Sequence, residues 1–178
     1  LTVVSPLYQY GISTRGGAIV QATMLRYQAL NPADRDKRVQ LMPPGIGVHQ
    51  LTLMVGSDTL SLADWDFAVT SGLAGASRAP ITVEDTHAVT LAASRGGVQV
   101  ELTYRFQADD YQIGVSGRVA GLGPVGGHLL ADMGSGFRQT EADSAANLYE
   151  FGVVTKTDES RLVKFSSFDP GERQTLEG

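Results

Sequence analysis

Apolar and polar residues alternate along much of this chain, and the repeat is that of a strand rather than of a helix. The run from Val98 to Phe106 is the clearest. Val98, Val100, Leu102, Tyr104 and Phe106 fall on one side, and Gln99, Glu101, Thr103 and Arg105 on the other. Successive side chains of a strand face opposite ways, so this run predicts a strand with one buried and one wet face. Past Gln107-Ala108-Asp109-Asp110 the alternation resumes with Tyr111, Ile113, Val115 and Val119, opposed by Gln112, Ser116 and Arg118. Two such runs around a short polar loop predict an antiparallel hairpin. Further strands are predicted at Leu7–Ser13, Ala18–Tyr27, His49–Val55, Ala88–Ala93 and Leu148–Thr155, and shorter ones at Val39–Met42, Phe67–Thr70, Ile81–Glu84 and Arg161–Phe165.

The punctuation fits the same class. Gly16-Gly17 and Gly96-Gly97 each sit between alternating runs. Glycine reaches φ > 0 without a Cβ clash, as two-residue hairpin turns require. Ser13-Thr14-Arg15-Gly16-Gly17 echoes Ala93-Ser94-Arg95-Gly96-Gly97; with no longer repeat around it, the echo reads as shared turn chemistry rather than duplication. Pro43-Pro44-Gly45 stops a strand, and Asn31–Arg38, Ser71–Pro80 and Gly134–Asn147 read as loops, the last with room for one helical turn. Many short strands without a long amphipathic helix predict an all-β fold, a sandwich of antiparallel sheets.

Composition narrows the function. At 178 residues the chain suits one well-cored domain over 1–178. The net charge is −5 and the basic residues are scattered, so no basic face is available for nucleic acid or for tight docking on anionic lipid. Cysteine is absent, which removes disulfides and thiolate metal sites. His49, His87 and His128 lack metal-ligand spacing, so no metal and no cofactor is expected. No stretch reaches the ~18–20 apolar residues that span a bilayer, so any anchor is expected outside these residues.

The motifs that suggest chemistry fail on context. Gly121-Leu122-Gly123-Pro124-Val125-Gly126 matches a dinucleotide fingerprint, but Pro124 interrupts it and no packed helix has room to follow. Neither a Walker A loop nor a nucleophile elbow occurs. Asp64, Asp66, Asp109 and Asp110 read as solvated loop acids. Glu84-Asp85-Thr86-His87 places an acid near an imidazole but reads as a solvated strand end. Trp65 and Phe67 could stack on a sugar, though aromatics two apart on a strand are ordinarily core. Arg15 and Arg95 read as water-exposed turn residues.

Val4-Ser5-Pro6-Leu7-Tyr8-Gln9-Tyr10, followed by Ser13-Thr14-Arg15-Gly16-Gly17-Ala18 and then Tyr27, resembles the opening of the periplasmic domain of YidC-type membrane protein insertases. Val39-Gln40-Leu41-Met42-Pro43 is similar to that family's next strand. Thr103-Tyr104-Arg105-Phe106 with Asp109-Asp110-Tyr111 is similar to its central hairpin. Phe168-Asp169-Pro170-Gly171-Glu172 and Leu176-Glu177-Gly178 resemble the segment before a Trp-containing stretch of the family. The positions carrying the resemblance are Pro6, Leu7, Tyr8, Ser13, Thr14, Arg15, Gly16, Gly17, Tyr104, Phe106 and Tyr111, as turn and strand residues.

The resemblance implies a β-supersandwich of the galactose-mutarotase-like kind, lying between the first and second transmembrane helices of a multi-pass protein on the periplasmic face of the bacterial inner membrane. In that family a Trp-containing stretch, final strands and a helical segment come next, so the resemblance implies either that these lie beyond Gly178 or that this member is divergent. It also implies an accessory, non-catalytic role, contacting SecD/SecF-type subunits, the Sec translocon and nascent membrane proteins. The alternative is a secreted carbohydrate-binding or mutarotase-like sandwich, which needs a His (His49, His87 or His128) and an acid (Glu84, Glu101 or Glu141) facing each other across a cleft. A surface adhesion sandwich is a third reading.

Overall fold

The structure, a computed structural model, describes residues 1–72, 79–134, 136–143, 145–146, 149, 151–156, 159–169 and 171–172. They form strands β1 (Thr2–Val4), β2 (Tyr8–Ile12), β3 (Ile19–Gln28), β4 (Arg38–Gln40), β5 (Gln50–Val55), β6 (Asp58–Ser61), β7 (Ala68–Ser71), β8 (Ile81–Thr82), β9 (Thr86–Arg95), β10 (Val98–Gln107), β11 (Ile113–Ala120), β12 (His128–Asp132), β13 (Gly152–Lys156) and β14 (Ser160–Lys164). Short 3₁₀ turns lie at Gly123–Val125 and Phe165–Ser167. The all-β reading with antiparallel sheets therefore holds. Among the described residues no helix is long and apolar enough to cross a membrane. The start of the predicted strand at Leu148, the middle of the Ser71–Pro80 loop, part of the Gly134–Asn147 loop, and Leu176-Glu177-Gly178 lie outside the described residues.

The chain packs as two units, one of residues 1–28 and 38–138, the other of residues 29–37 and 139–178. The first holds three sheets, ordered β4-β3-β2-β1-β8, β11-β10-β9-β7 and β12-β5-β6. Neighbours pair antiparallel except β1 with β8, which run parallel through Val3↔Ile81. Their apolar faces meet in one core. Val3, Tyr8 and Ile12 come from the first sheet, Val89, Leu91, Leu102, Tyr104 and Phe106 from the second, and Leu51 and Leu53 from the third. Burying a side chain of this size contributes about 1.5–3 kcal/mol, which is why the alternation of β10 is so regular. In β10 the predicted inward residues Val100, Leu102, Tyr104 and Phe106 are buried, while Gln99, Glu101 and Arg105 are exposed. Trp65 and Phe67 are also buried, as core residues.

The expectation for β11 is met only in part. Its alternation predicts a buried apolar face, yet no residue of β11 is buried. The reason is position: β11 ends its sheet, next to β10 alone.

The two glycine pairs also differ from expectation. Gly96-Gly97 is a two-residue hairpin turn, with φ of 59° and 85° and Arg95 opposite Val98. Gly16-Gly17 lies in the longer connection 13–18, also with positive φ, and both glycines are buried. A Cβ on Gly17 would lie 2.8 Å from Leu102 Cδ1, and one on Gly16 would lie 3.0 Å from the Ala63 backbone. The first pair is therefore glycine because of close packing as well as backbone conformation, and the turn chemistry is not shared. In the second unit, β13 and β14 form an antiparallel hairpin through Val153↔Val163 and Val154↔Leu162, and the amides of Leu30 and Asn31 donate to the Thr140 carbonyl.

Candidate functional site

The site begins with two tyrosines. Tyr8 and Tyr10 are two apart on β2, so both point to the core side, where their rings stack at 4.1 Å. Each hydroxyl reaches a backbone carbonyl near the β10–β11 connection: Tyr8 donates to Gln107 at 2.8 Å and Tyr10 to Tyr111 at 2.7 Å. Burial raises the pKa of both phenols, so both stay donors at neutral pH. The Ser5 hydroxyl accepts the amides of Leu7 and Tyr8, which fixes the turn into β2.

Beside this pair lies an apolar groove of about 280 Å³. Tyr10, Ile19, Ala22 and Met24 line it from β2 and β3, and Ile113 and Val115 from β11. Leu41, Met42, Met133 and Phe137 close it from the connecting segments. Val115, Met133 and Phe137 are 40%, 51% and 42% exposed, so the groove opens to solvent. No Asp, Glu, Lys or Arg lines it.

Besides Tyr10 and Tyr111, the groove has a polar group in His49, which follows Val48 along its wall. His49 has φ 62°, a conformation rare for a residue with a Cβ. Its Nδ1 lies 3.1 Å from the Tyr104 hydroxyl, which itself donates to the Gly17 carbonyl at 2.6 Å. With the Tyr104 proton so committed, the imidazole must donate from Nδ1, which leaves Nε2 as an acceptor. Burial lowers the His49 pKa, keeping the ring neutral. Burial raises that of Tyr104 to about 12.

A second hollow, of about 420 Å³, lies over the outer face of β9–β11, among Ala92, Ser94, Gln99, Glu101 and Arg118. Its lining mixes these polar groups with small apolar side chains (Ala93, Val100 and Ala120) and offers no aromatic platform for a sugar.

Compared with known protein families, residues 1–177 match the family described as the YidC periplasmic domain. The chain belongs to that family. It is thus a periplasmic domain of a membrane protein insertase. Comparison with curated proteins and with solved structures found no match.

The fold gathers several of this periplasmic domain's motif residues. Tyr8, Phe106, Tyr104 and Gly17 meet in the core: Tyr10 bridges Tyr8 to Phe106 at 6.2 Å, and Tyr104 reaches Gly17. Leu7 is buried, and Pro6 is exposed at the turn. Tyr111 lies at the groove, 6.0 Å from the Tyr27 ring. Ser13 forms a local turn, its hydroxyl accepting from the Arg15 amide, and the Thr14 carbonyl accepts from Phe67. Gly16 donates to the Trp65 carbonyl.

Arg15 and Arg95 are more than solvated turn residues. Arg15 pairs with Asp64, while Arg95 donates to the Asp64 carbonyl at 3.1 Å and lies 5.3 Å from the Trp65 ring centre. Asp64 is correspondingly an ion-pair partner, not a free loop acid. The echo of the two Arg-Gly-Gly segments is visible in the sequence, but the convergence of both arginines on Asp64-Trp65 is not.

The chemistry that the alternative reading needs is not assembled among the described residues. His49 is held by Tyr104, His87 Nε2 lies 2.8 Å from the Gly72 carbonyl, and His128 sits on exposed β12. No histidine is ion-paired to a carboxylate there, and Glu84, Glu101 and Glu141 are exposed. No group of three or more His, Asp or Glu is placed to hold a metal among the described residues. The glycine-rich 121–126 loop leads through a 3₁₀ turn into strand β12, so no helix N-terminus is present to receive a phosphate.

Proposed function

We propose that this chain works as a non-catalytic interaction domain of an insertase. It is carried on the periplasmic face of the bacterial inner membrane as part of a multi-pass protein. There it offers a binding surface to SecD/SecF-type subunits of the Sec translocon and to nascent membrane proteins. It acts as a single domain over 1–178, without metal or cofactor. The motif residues from Pro6 to Gly17, with Tyr104, Phe106 and Tyr111, hold its strands and turns rather than a ligand.

The match of residues 1–177 to the periplasmic-domain family carries this reading. The open apolar groove supports it, because exposed apolar surface rimmed by polar residues is what protein contact uses. The separate anchoring of His49 and His87 supports a role without acid–base chemistry.

The test is in-cell crosslinking of the insertase that carries this domain, followed by purification and identification of adducts. Adducts with a Sec accessory subunit or a nascent membrane protein are expected, and they should disappear when the domain is deleted. Unchanged adducts after deletion would overturn the reading, as would mutarotation of glucose by the isolated chain above the buffer rate.

A further inference from the structure

Two arginines from turns on different sheets meet at one aspartate, Asp64, in the connection between β6 and β7. We propose that Arg15 and Arg95 are the two arms of one ionic clasp on Asp64. The clasp holds the 62–67 segment down as a strap and keeps the Trp65 ring covered, and salt releases it without unfolding the core.

The strap is amphipathic. In Leu62-Ala63-Asp64-Trp65-Asp66-Phe67 the apolar Leu62, Trp65 and Phe67 are buried, while Ala63, Asp64 and Asp66 are exposed. The Trp65 amide donates to the Leu62 carbonyl at 3.0 Å, which closes a tight turn with Asp64 at its tip. The strap is bonded to the 13–18 connection much as a strand would be. Gly16 donates to the Trp65 carbonyl at 2.9 Å and Phe67 to the Thr14 carbonyl at 2.7 Å, around the antiparallel bridge of Arg15 with Asp66. A Cβ on Gly16 would lie 3.0 Å from the Ala63 backbone, so the two segments lie flush.

Arg95 holds the same turn from the β9–β10 hairpin. Its Nη2 donates to the Asp64 carbonyl at 3.1 Å, and its guanidinium carbon lies 5.3 Å from the Trp65 ring centre. The Asp64–Trp65 peptide is thereby held at both ends, its carbonyl by Arg95 and its N–H by Leu62. Arg15 takes the other end of the residue, its guanidinium pairing with the Asp64 carboxylate. Asp66, the next carboxylate along the strap, adds negative charge near Arg15. A carbonyl at the tip of a turn is aimed by the residue that carries it, so Arg15 fixes the acceptor that Arg95 uses. Among the described residues Arg95 has no carboxylate partner of its own, so its place over Trp65 depends on that carbonyl and on the ring face.

The clasp is the weak layer over a strong one. The Arg15 and Asp64 side chains are 68% and 72% exposed, and exposed ion pairs are weak and screened by salt. Leu62 and Phe67, on the inner side of the strap, are held by apolar burial, which sodium chloride does not weaken. Opening is therefore local: salt frees the arginines and bares one face of Trp65, while the inner side of the strap stays packed.

Quenching of Trp65, the chain's one tryptophan, by neutral acrylamide reads the cover directly in the whole chain. Raising sodium chloride from ~0.05 M to ~0.5 M should raise the quenching constant about twofold in the native chain. It should leave Arg95→Ala unchanged, since that ring is already bare. Asp64→Ala keeps the carbonyl that Arg95 uses and removes only the partner of Arg15. At low salt Asp64→Ala and Arg15→Ala should each raise quenching about twofold, towards the Arg95→Ala value, and Arg15→Lys should restore most of the cover. Arg15→Ala combined with Arg95→Ala should be quenched no more than Arg95→Ala alone. Circular dichroism should stay constant across the salt range, and the salt titration of the native chain tests the clasp even where a variant fails to fold. Quenching of the native chain that ignores salt would overturn the proposal. So would Asp64→Ala and Arg15→Ala chains as well covered as the native one, because the two arms would then be independent. Loss of the circular dichroism signal over the same salt range would overturn it too, since the opening would then be unfolding.

Discussion

The Tyr104 hydroxyl donates to the Gly17 carbonyl at 2.6 Å, tying the centre of β10 to the connection between β2 and β3. The same oxygen lies 3.1 Å from His49 Nδ1. One phenol therefore satisfies a buried carbonyl and a half-buried imidazole N–H. Tyr104→Phe keeps the ring and leaves the Gly17 carbonyl and the His49 N–H without this hydroxyl. Leaving buried polar groups unpaired costs about 1–3 kcal/mol, so urea unfolding of Tyr104→Phe should show a loss in that range.

Gly17 and Gly97 make a matched pair, with φ of 73° and 85°. A Cβ at Gly97 meets nothing within 4 Å, whereas one at Gly17 lies 2.8 Å from Leu102 Cδ1. Gly97→Ala should cost only the left-handed backbone penalty, about 1 kcal/mol. Gly17→Ala should cost that plus the displacement of Leu102, about 2–3 kcal/mol in all. Equal losses in parallel denaturation curves would contradict the packing argument.

Acid should destabilise the first unit through His49. Burial lowers its folded pKa below the ordinary 6.5, so the unfolded chain binds the proton more readily. Its contribution is complete above about pH 6.5, declines as pH falls from there, and is fully lost below the depressed folded value. Alkali acts through Tyr104, whose pKa is raised from 10.0 to about 12, so stability declines as pH rises through that interval. Unfolding free energies measured against pH should slope in both windows. His49→Gln should flatten the acid slope, and Tyr104→Phe should reduce the alkaline one, the remainder coming from Tyr8 and Tyr10, whose phenol pKa burial also raises.

Trp65 is the chain's one tryptophan and is buried beneath the Arg95 guanidinium. Arg95→Ala should shift its emission by wetting one ring face and cost about 0.5–1 kcal/mol, the usual worth of an exposed cation–π pair. Arg95→Lys should restore part of this.

The strands that alternate are legible in the sequence because burial enforces alternation. β10 has one face in the core, and its pattern is unambiguous. β6 and β12 escape prediction, because every residue in them is exposed and nothing selects a pattern; in β12, Leu129 and Leu130 are adjacent rather than alternating. β11 is legible as a strand but not as an edge, since alternation reports which residues share a face and not whether another layer covers it. The family resemblance is legible in Pro6-Leu7-Tyr8 and Ser13–Gly17. The groove is not, because its polar group depends on a contact between His49 and Tyr104, 55 residues apart, and its walls come from distant connections. An unusual φ at His49 has no sequence signal at all.

The most direct test of the interaction-domain role replaces Val115 by a photo-crosslinking amino acid in the intact insertase and irradiates cells that are actively making membrane proteins. Adducts from Val115 to nascent membrane proteins or a Sec accessory subunit are expected, and none from Arg105 on the opposite face of the same sheet. Adducts only within the insertase's own polypeptide, or equal yields from both positions, would contradict it.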